Sequence, residues 1–118
     1  MNKRGYGSEG EARARDYLVQ KGAKILEMNY RRPTGEIDII ARQGRTLLFV
    51  EVKRRSSLRY GRPSEAVNRQ KQAHILRTAQ LYLQEHRLMD APMRFDIIEV
   101  LPEEICHIEN AFDASALQ

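Results

Sequence analysis

Residues 35–53 constrain the fold of this chain more than any other segment. They form two largely apolar runs separated by Gln43-Gly44, the pattern expected of two antiparallel strands joined by a tight turn. If Gln43 and Gly44 are the two turn residues, Asp38 lies opposite Phe49 and diagonal to Glu51. The hairpin therefore brings two acidic residues of neighbouring strands close together.

The same hairpin is expected to carry its charged residues on one face. Successive side chains of a strand point to opposite faces, so the alternation assigns each residue to a side. One face carries Glu36, Asp38, Glu51 and Lys53, and the other carries Ile37, Ile39, Leu48, Val50 and Val52. An odd-length turn without a bulge would instead separate Asp38 and Glu51 onto opposite faces.

Two carboxylates with a lysine two residues beyond the second suggest a metal site for phosphodiester hydrolysis. Mg²⁺ and Mn²⁺ accept carboxylate oxygens, and Mg²⁺ usually keeps several waters and a substrate phosphate. We predict Asp38 and Glu51 as metal ligands, together with the backbone carbonyl of Val52. The ammonium of Lys53 would orient the attacking water and stabilise the negative charge that develops in the transition state.

A structural alternative treats these charges as an exposed ladder of cross-strand ion pairs. Such pairs are common, and each contributes only about 0–1 kcal/mol. The neighbouring runs 39–41 and 47–50 are nearly continuous in apolar residues, as expected of strands covered on both faces. Because unpaired charges inside covered strands are unfavourable, the pattern favours a functional site.

Several further polar residues are candidates for supporting roles. A first-helix acid, Glu9 or Glu11, could assist through a water molecule. Glu36, opposite Glu51 in the predicted register, is either a second ligand or a like-charged neighbour that tunes Glu51. Gln70 and Lys71, near the start of the second long helix, are candidates for catalytic support, phosphate contact or simple solvent exposure.

A basic segment follows the hairpin directly. Residues 53–62 contain five cations and no acid, which is the composition of a polyanion-binding surface. The predicted nucleic-acid-binding residues are Arg54, Arg55, Arg59, Tyr60, Arg62 and Lys71. Tyr60 is suited to stack on an exposed base or to pack the loop against the protein. The alternative is a set of solvated arginines around a loop.

Size and composition indicate one domain, spanning residues 1–118. The hydrophobic fraction of 42% and charged fraction of 31% are typical of a soluble globular protein. No apolar run reaches the roughly 20 residues of a membrane span, and no signal-peptide core is present, so we expect no membrane partner. A single cysteine, Cys106, excludes a disulfide framework and favours the cytoplasm.

The predicted order of elements is α-β-β-β-α-β, an α/β fold with a mixed sheet of four to five strands. Helices are expected at 8–21 and 65–86, the second capped by Ser64 or, if it starts later, by Asn68. Strands are expected at 23–30, in the hairpin, at 93–101 and, more briefly, at 105–108. Residues 1–7 and 110–118 are expected to be weakly ordered. Asp96 interrupts an apolar strand and is expected to pair with an arginine of the long helix.

Over roughly residues 7–100 the chain resembles the small YraN-like UPF0102 family, within the PD-(D/E)xK nuclease superfamily. The resemblance is carried by Gly10-Glu11, Ala14, Tyr17-Leu18, Gly22, Asn29-Tyr30-Arg31, Gly35-Glu36-Ile37-Asp38, Phe49-Val50-Glu51-Val52-Lys53, Lys71 and Arg94-Phe95-Asp96. The spacing is also similar to that of archaeal Holliday-junction resolvases. The resemblance implies a restriction-endonuclease-like fold.

It further implies that Glu11, Asp38, Glu51 and Lys53 are the catalytic residues, which selects Glu11 over Glu9. One departure is that Ile37, rather than proline, precedes Asp38. The predicted function is a Mg²⁺- or Mn²⁺-dependent nuclease acting on branched or single-stranded DNA, with RNA as a variant substrate. A homodimer is one arrangement in which so small a nuclease would cut two strands. The alternative is a non-catalytic nucleic-acid-binding module within a larger complex, and a purely structural protein is a third reading.

Overall fold

The computed structural model describes residues 3–55 and 67–117, with side chains described for 9–55 and 67–115. Two helices flank one five-stranded sheet. The elements are α1 (Lys3–Gln20), β1 (Lys24–Arg32), β2 (Gly35–Gln43), β3 (Thr46–Arg54), α2 (Arg69–Glu85), β4 (Met93–Val100), β5 (Ile105–Phe112) and a short 3₁₀ helix (Ala114–Leu117). None of the helices in these ranges is long and apolar enough to cross a membrane.

The strands lie in the order β1-β2-β3-β4-β5. Only the central pair, β3 and β4, is parallel, and the other three pairs are antiparallel. A parallel pair requires a long crossover, and α2 lies in the chain between these two strands. The predicted α/β class and mixed sheet are therefore confirmed, and the order is consistent with a restriction-endonuclease-like fold.

Several boundaries differ from the prediction. Helix α1 begins at Lys3 rather than Ser8. The long helix begins at Arg69, where the Asn68 side chain accepts a hydrogen bond from the Lys71 N–H as an N-cap. Ser64 lies outside the described residues. Strand β5 extends to Phe112, well beyond the four residues predicted, because it pairs with β4 as far as Phe95.

The sheet separates two apolar layers. The α2 layer contains Tyr30, Ile37, Ile40, Leu47, Phe49, Phe95 and Ile97 of the sheet with Ile75, Leu76, Ala79, Tyr82 and Leu83 of α2. The α1 layer contains Ile39, Ala41, Leu48, Val50, Ile98 and Val100 of the sheet with Ala14 and Leu18 of α1. The central strands are thus covered on both faces, as their continuous apolar runs indicated.

The register of the β2–β3 hairpin corrects the prediction by two residues. Gln43 pairs with Thr46, so the turn residues are Gly44 and Arg45. Gly44 has a φ of +62°, a left-handed conformation that favours glycine. A two-residue shift keeps the parity of the alternation, so Asp38 and Glu51 remain close together. The predicted face of Ile37 is wrong, because Ile37 packs in the α2 layer and Ile39 packs in the α1 layer.

The buried Asp96 has different partners from those predicted. Its carboxylate accepts hydrogen bonds from Arg94 Nε at 3.0 Å and from the Asn110 N–H at 2.9 Å, and it lies 2.8 Å from His107 Nε2. The expected pairing with an arginine of α2 is wrong, since Arg94 belongs to β4 itself. Burial alone would raise the pKa of Asp96, but these contacts outweigh it and hold the pKa below its usual range.

His107 extends this network to the first helix. Its Nδ1 lies 2.9 Å from the Tyr17 hydroxyl, and the two rings meet edge to face. Asp96, fully buried on β4, therefore connects β4, β5 and α1 through one histidine. This contact holds α1 against the sheet beside the apolar packing of Ala14 and Leu18.

We predict that Asp96→Ala lowers the free energy of unfolding by about 3–5 kcal/mol, because it removes the fully buried carboxylate that Arg94, His107 and the Asn110 N–H share. Urea unfolding measures the change, with the exposed Asp90→Ala as the matched control. Because the pKa of Asp96 is lowered on folding, its contribution is present above pH ~4 and is lost as the pH falls below that. A loss no greater than that of Asp90→Ala would contradict this role.

Candidate active site

Two carboxylates and one amide fall in a single row across the first three strands. Ile39 pairs with Val50, so the register continued by one residue sets Asp38 opposite Glu51. The prediction that Asp38 faces Phe49 and Glu36 faces Glu51 is therefore wrong, and Glu36 instead pairs with Arg31 of β1. The corrected register places Asp38 and Glu51 closer than the predicted diagonal did.

Asp38 lies in an environment that disfavours its charge. Burial, together with the negative charge of Glu51, raises the pKa of Asp38 to about 8, and Glu11 and Glu36 add to this effect. The Val52 N–H donates to Asp38 Oδ2 at 2.8 Å and acts in the opposite direction. Because the N–H and C=O of one residue in an antiparallel strand point to the same neighbour, the Val52 carbonyl also faces β2.

Glu51, unlike Asp38, has two lysine side chains beside its carboxylate. Its side chain is 6% exposed, and its Oε2 lies 3.2 Å from Lys71 Nζ and 3.6 Å from Lys53 Nζ. Lys53 lies two residues further along β3, whereas Lys71 reaches the site from the first turn of α2. The predicted basic residue Lys71 is thus brought to the acids. Gln70, its neighbour, is exposed in the same turn.

Two more acids approach from α1 and β2. The Asn29 side-chain amide donates to Glu11 Oε1 at 2.9 Å and to Glu36 Oε2 at 3.2 Å. Arg31 Nε also lies 3.3 Å from Glu36 Oε2. We call Glu11, Glu36, Asp38 and Glu51 the carboxylate site. Glu9, the acid not selected, instead pairs with Arg54 at 3.2 Å.

Sequence reasoning assigned no role to Asn29. Its backbone has a φ of +54°, which non-glycine residues seldom adopt. The available signal was an asparagine inside strand 23–30, where asparagine is disfavoured. That signal indicated an irregular strand, but nothing in the sequence pointed to its partners.

Arg54 and Arg55 line a cleft on the other flank of α1. Its volume is about 610 Å³, and Arg13, Glu9, Leu101 and Glu103 contribute to its walls. Arg13 donates to the Leu101 carbonyl at 2.7 Å, and Arg55 Nε lies 3.4 Å from the buried carboxylate of Glu99. The predicted binding residues Arg59, Tyr60 and Arg62 lie outside the described residues.

The donor set fits a hard divalent ion that keeps part of its water. Within residues 3–55 and 67–117, no three acidic, histidine or cysteine side chains converge into a ready-made metal cluster. Asp38 and Glu51 nevertheless supply the one or two carboxylates that Mg²⁺ commonly takes from a protein. Among the described groups that shift the pKa of Asp38, none is a cation. A divalent ion would supply that missing positive charge.

Fold and site together define an α/β protein whose mixed sheet holds Asp38, Glu51 and Lys53 close together. The chain belongs to the uncharacterised protein family UPF0102, whose model matches residues 10–100. It is 48% identical to a UPF0102 protein of Clostridioides difficile, over 95% of this chain and all of that protein. A UPF0102 protein of Alkaliphilus oremlandii is 52% identical over 95% and 100% of the two chains, and one of Acetivibrio thermocellus is 50% identical over 94% and 93%.

The raised pKa of Asp38 predicts an unusual pH dependence of stability. Between pH ~4 and ~8 the folded protein keeps a proton that the unfolded chain releases, so the free energy of unfolding falls as the pH rises. The contribution of Asp38 is at most about 1.4 kcal/mol per pH unit. Asp38→Asn removes this dependence and makes the protein more stable than wild type at pH 8 without metal.

Urea unfolding in EDTA at pH 5, 6, 7 and 8 measures this effect. The control is Asp16→Asn, which changes an exposed aspartate of α1. Parallel pH profiles for wild type and Asp38→Asn would contradict the assigned environment of Asp38.

Proposed function

We propose that this protein is a nuclease that hydrolyses phosphodiester bonds of DNA with Mg²⁺ or Mn²⁺ bound between Asp38 and Glu51. The observation that carries the proposal is the position of Asp38 opposite Glu51, with Lys53 Nζ 3.6 Å from Glu51. Two acids and a lysine held close together are the groups that this hydrolysis requires. The UPF0102 resemblance adds support, because it implies these three residues together with Glu11.

The exposed ion-pair ladder explains this arrangement less well. Glu51 is only 6% exposed, and Asp38 is half-buried beside it. Solvent-exposed pairs need no such burial, and burial of like charges is unfavourable without compensation. Lys53 and Lys71 compensate Glu51, whereas none of the described groups that shift the pKa of Asp38 is a cation.

Each described residue has a distinct part in the proposed reaction. A bound divalent ion would polarise the scissile phosphate and make a coordinated water more acidic. Asp38 and Glu51 hold this ion, and Glu11 orients water from the α1 side. Lys53 donates to the attacking water or to a phosphate oxygen, where its positive charge stabilises the transition state. Lys71, on the opposite layer of the sheet, is placed to contact the phosphate once the ion binds Glu51.

The arginine cleft is suited to a neighbouring part of the nucleic acid. Arg54 and Arg55 follow Lys53 at the end of β3, so a nucleic acid bound at the carboxylate site would have the cleft within its reach. Arginine binds phosphate oxygens in a bidentate manner, and such contacts are independent of base sequence. Binding that depends on this cleft should weaken steeply with salt, because phosphate contacts release counterions.

We predict that Mn²⁺ raises the thermal stability of the protein and that this rise depends on the two ligands. A free ion concentration 100-fold above the dissociation constant stabilises the folded state by about 2.7 kcal/mol. Calorimetry with and without Mn²⁺ measures the effect in wild type, Asp38→Asn and Glu51→Gln. The exposed Glu104→Gln serves as the control. An equal shift in all four proteins would place the bound ion elsewhere.

We predict that Lys53→Ala lowers metal-dependent cleavage by at least about 100-fold, since it removes a group that stabilises the transition state. Labelled single-stranded, duplex, flap and four-way-junction DNA, with matching RNA, are incubated in Mg²⁺, Mn²⁺ or EDTA. Lys24→Ala, on the exposed side of β1, is the control variant. Circular dichroism melting establishes that both variants are folded.

The outcomes of this assay separate the alternatives. Cleavage that requires metal and Lys53 supports the proposed function and identifies the substrate. Salt-dependent binding without cleavage in either metal would favour the non-catalytic module. Neither binding nor cleavage would leave a structural protein with an ion-paired surface.

A further inference from the structure

We propose that Asn29 is a positioning residue that holds Glu11 beside Asp38 and Glu51, an inference that rests on the proposed function. Its amide donates to Glu11 Oε1 at 2.9 Å and to Glu36 Oε2 at 3.2 Å. A single side chain of β1 therefore ties an acid of α1 to an acid of β2. Glu11 approaches the site from a separate helix, so its position depends on contacts of this kind.

The strand register places Asn29 in line with the two predicted ligands. Met28 pairs with Ile39 and Tyr30 pairs with Ile37, so Asn29 falls opposite Asp38. Asp38 in turn falls opposite Glu51, as described above. The row Asn29–Asp38–Glu51 thus crosses β1, β2 and β3, with the amide at the end nearest Glu11.

The backbone of Asn29 is specialised for this position. Its φ of +54° is tolerated by asparagine and glycine but is unfavourable by about 1–2 kcal/mol for most other residues. The conformation also interrupts the alternation of β1. Met28 packs against the α1 layer and Tyr30 against the α2 layer, although they lie two residues apart. Asn29, whose side-chain amide donates to Glu11, lies between these two residues.

An amide suits this position better than a cation would. The neutral NH₂ group can donate two hydrogen bonds, so it orients both Glu11 and Glu36 without neutralising either. A lysine at this position would pair with the acids and reduce the negative charge that attracts a divalent ion. Groups that orient the surroundings of a metal in this way typically affect its affinity about 10–100-fold.

The decisive variant is Asn29→Gly, which keeps the left-handed backbone and removes the amide. Asn110→Gly is its matched control, because Asn110 on β5 has the same φ of +54° and lies outside the carboxylate site. We expect the Mn²⁺ dissociation constant to rise about 10–100-fold in Asn29→Gly and to stay unchanged in Asn110→Gly. Isothermal calorimetry measures the constants, and thermal melting compares the folding of the two variants.

A double-mutant cycle tests whether Asn29 acts through Glu11. If it does, Asn29→Gly combined with Glu11→Gln binds Mn²⁺ no more weakly than the weaker single variant. Effects that multiply would mean that Asn29 acts independently of Glu11, and they would overturn the inference. So would an unchanged dissociation constant in Asn29→Gly.

A measurement on the metal-free protein separates failure of this inference from failure of the proposed function. Nuclear magnetic resonance reports the side-chain NH₂ signals of Asn29, which should shift in Glu11→Gln and stay in place in Glu104→Gln. Unmoved signals in Glu11→Gln would overturn the role of Asn29 even if wild type binds Mn²⁺. Shifted signals in a protein that binds no Mn²⁺ would sustain the Asn29–Glu11 contact and reject the metal-dependent function.

Discussion

The pairing of β2 with β3 is the constraint on which the rest of the site depends. Ile39 opposite Val50 fixes the register, and the Val52 N–H then donates to Asp38 Oδ2 at 2.8 Å. Beyond this point the regular β2–β3 pairing ends, so the carboxylates of Asp38 and Glu51 stand where the strands separate. Both strands are anchored by apolar layers on their two faces, which allows their ends to hold like charges together. The apolar packing of β2 and β3 thus offsets the unfavourable proximity of the Asp38 and Glu51 carboxylates.

The two acids Asp38 and Glu51 differ in how their charges are compensated. Lys53 and Lys71 both approach Glu51 Oε2, while burial and the surrounding acids raise the pKa of Asp38. Glu51 is therefore paired with the two lysines, whereas the raised pKa of Asp38 favours its protonated form. In the proposed function, Asp38 and Glu51 would hold a divalent ion, and binding of the ion would be linked to loss of the Asp38 proton. Lys53 and Lys71, both near Glu51, would supply positive charge for the substrate phosphate.

The sequence predicted the faces of the hairpin better than its register. The face of a strand residue depends on whether the register shift is odd or even. The observed register differs from the predicted one by two residues, so Asp38 and Glu51 remained close together. The alternation failed at Ile37, which packs with α2 although Ile39 packs with α1. Their β1 partners, Tyr30 and Met28, are divided between the two layers in the same way, on either side of Asn29. Lys71 reaches Glu51 from the first turn of α2, which begins at Arg69. The sequence offered both Ser64 and Asn68 as N-caps, so the start of this helix was not decided in advance. Contacts of this kind depend on tertiary packing, which a local pattern does not contain.

Glu11 shows how far the site extends beyond the hairpin. The helix that carries it packs on the sheet through Ala14 and Leu18, and contacts on its two flanks restrict it further. On one flank, Tyr17 meets His107 of β5, and Arg13 donates to the carbonyl of Leu101. On the other, Glu11 accepts the amide of Asn29. Rotation of α1 would break contacts on both flanks together, so the acid is fixed by the last strand of the sheet as well as by the first. The carboxylate site therefore requires the whole sheet, although its predicted ligands come from nineteen residues, 35–53.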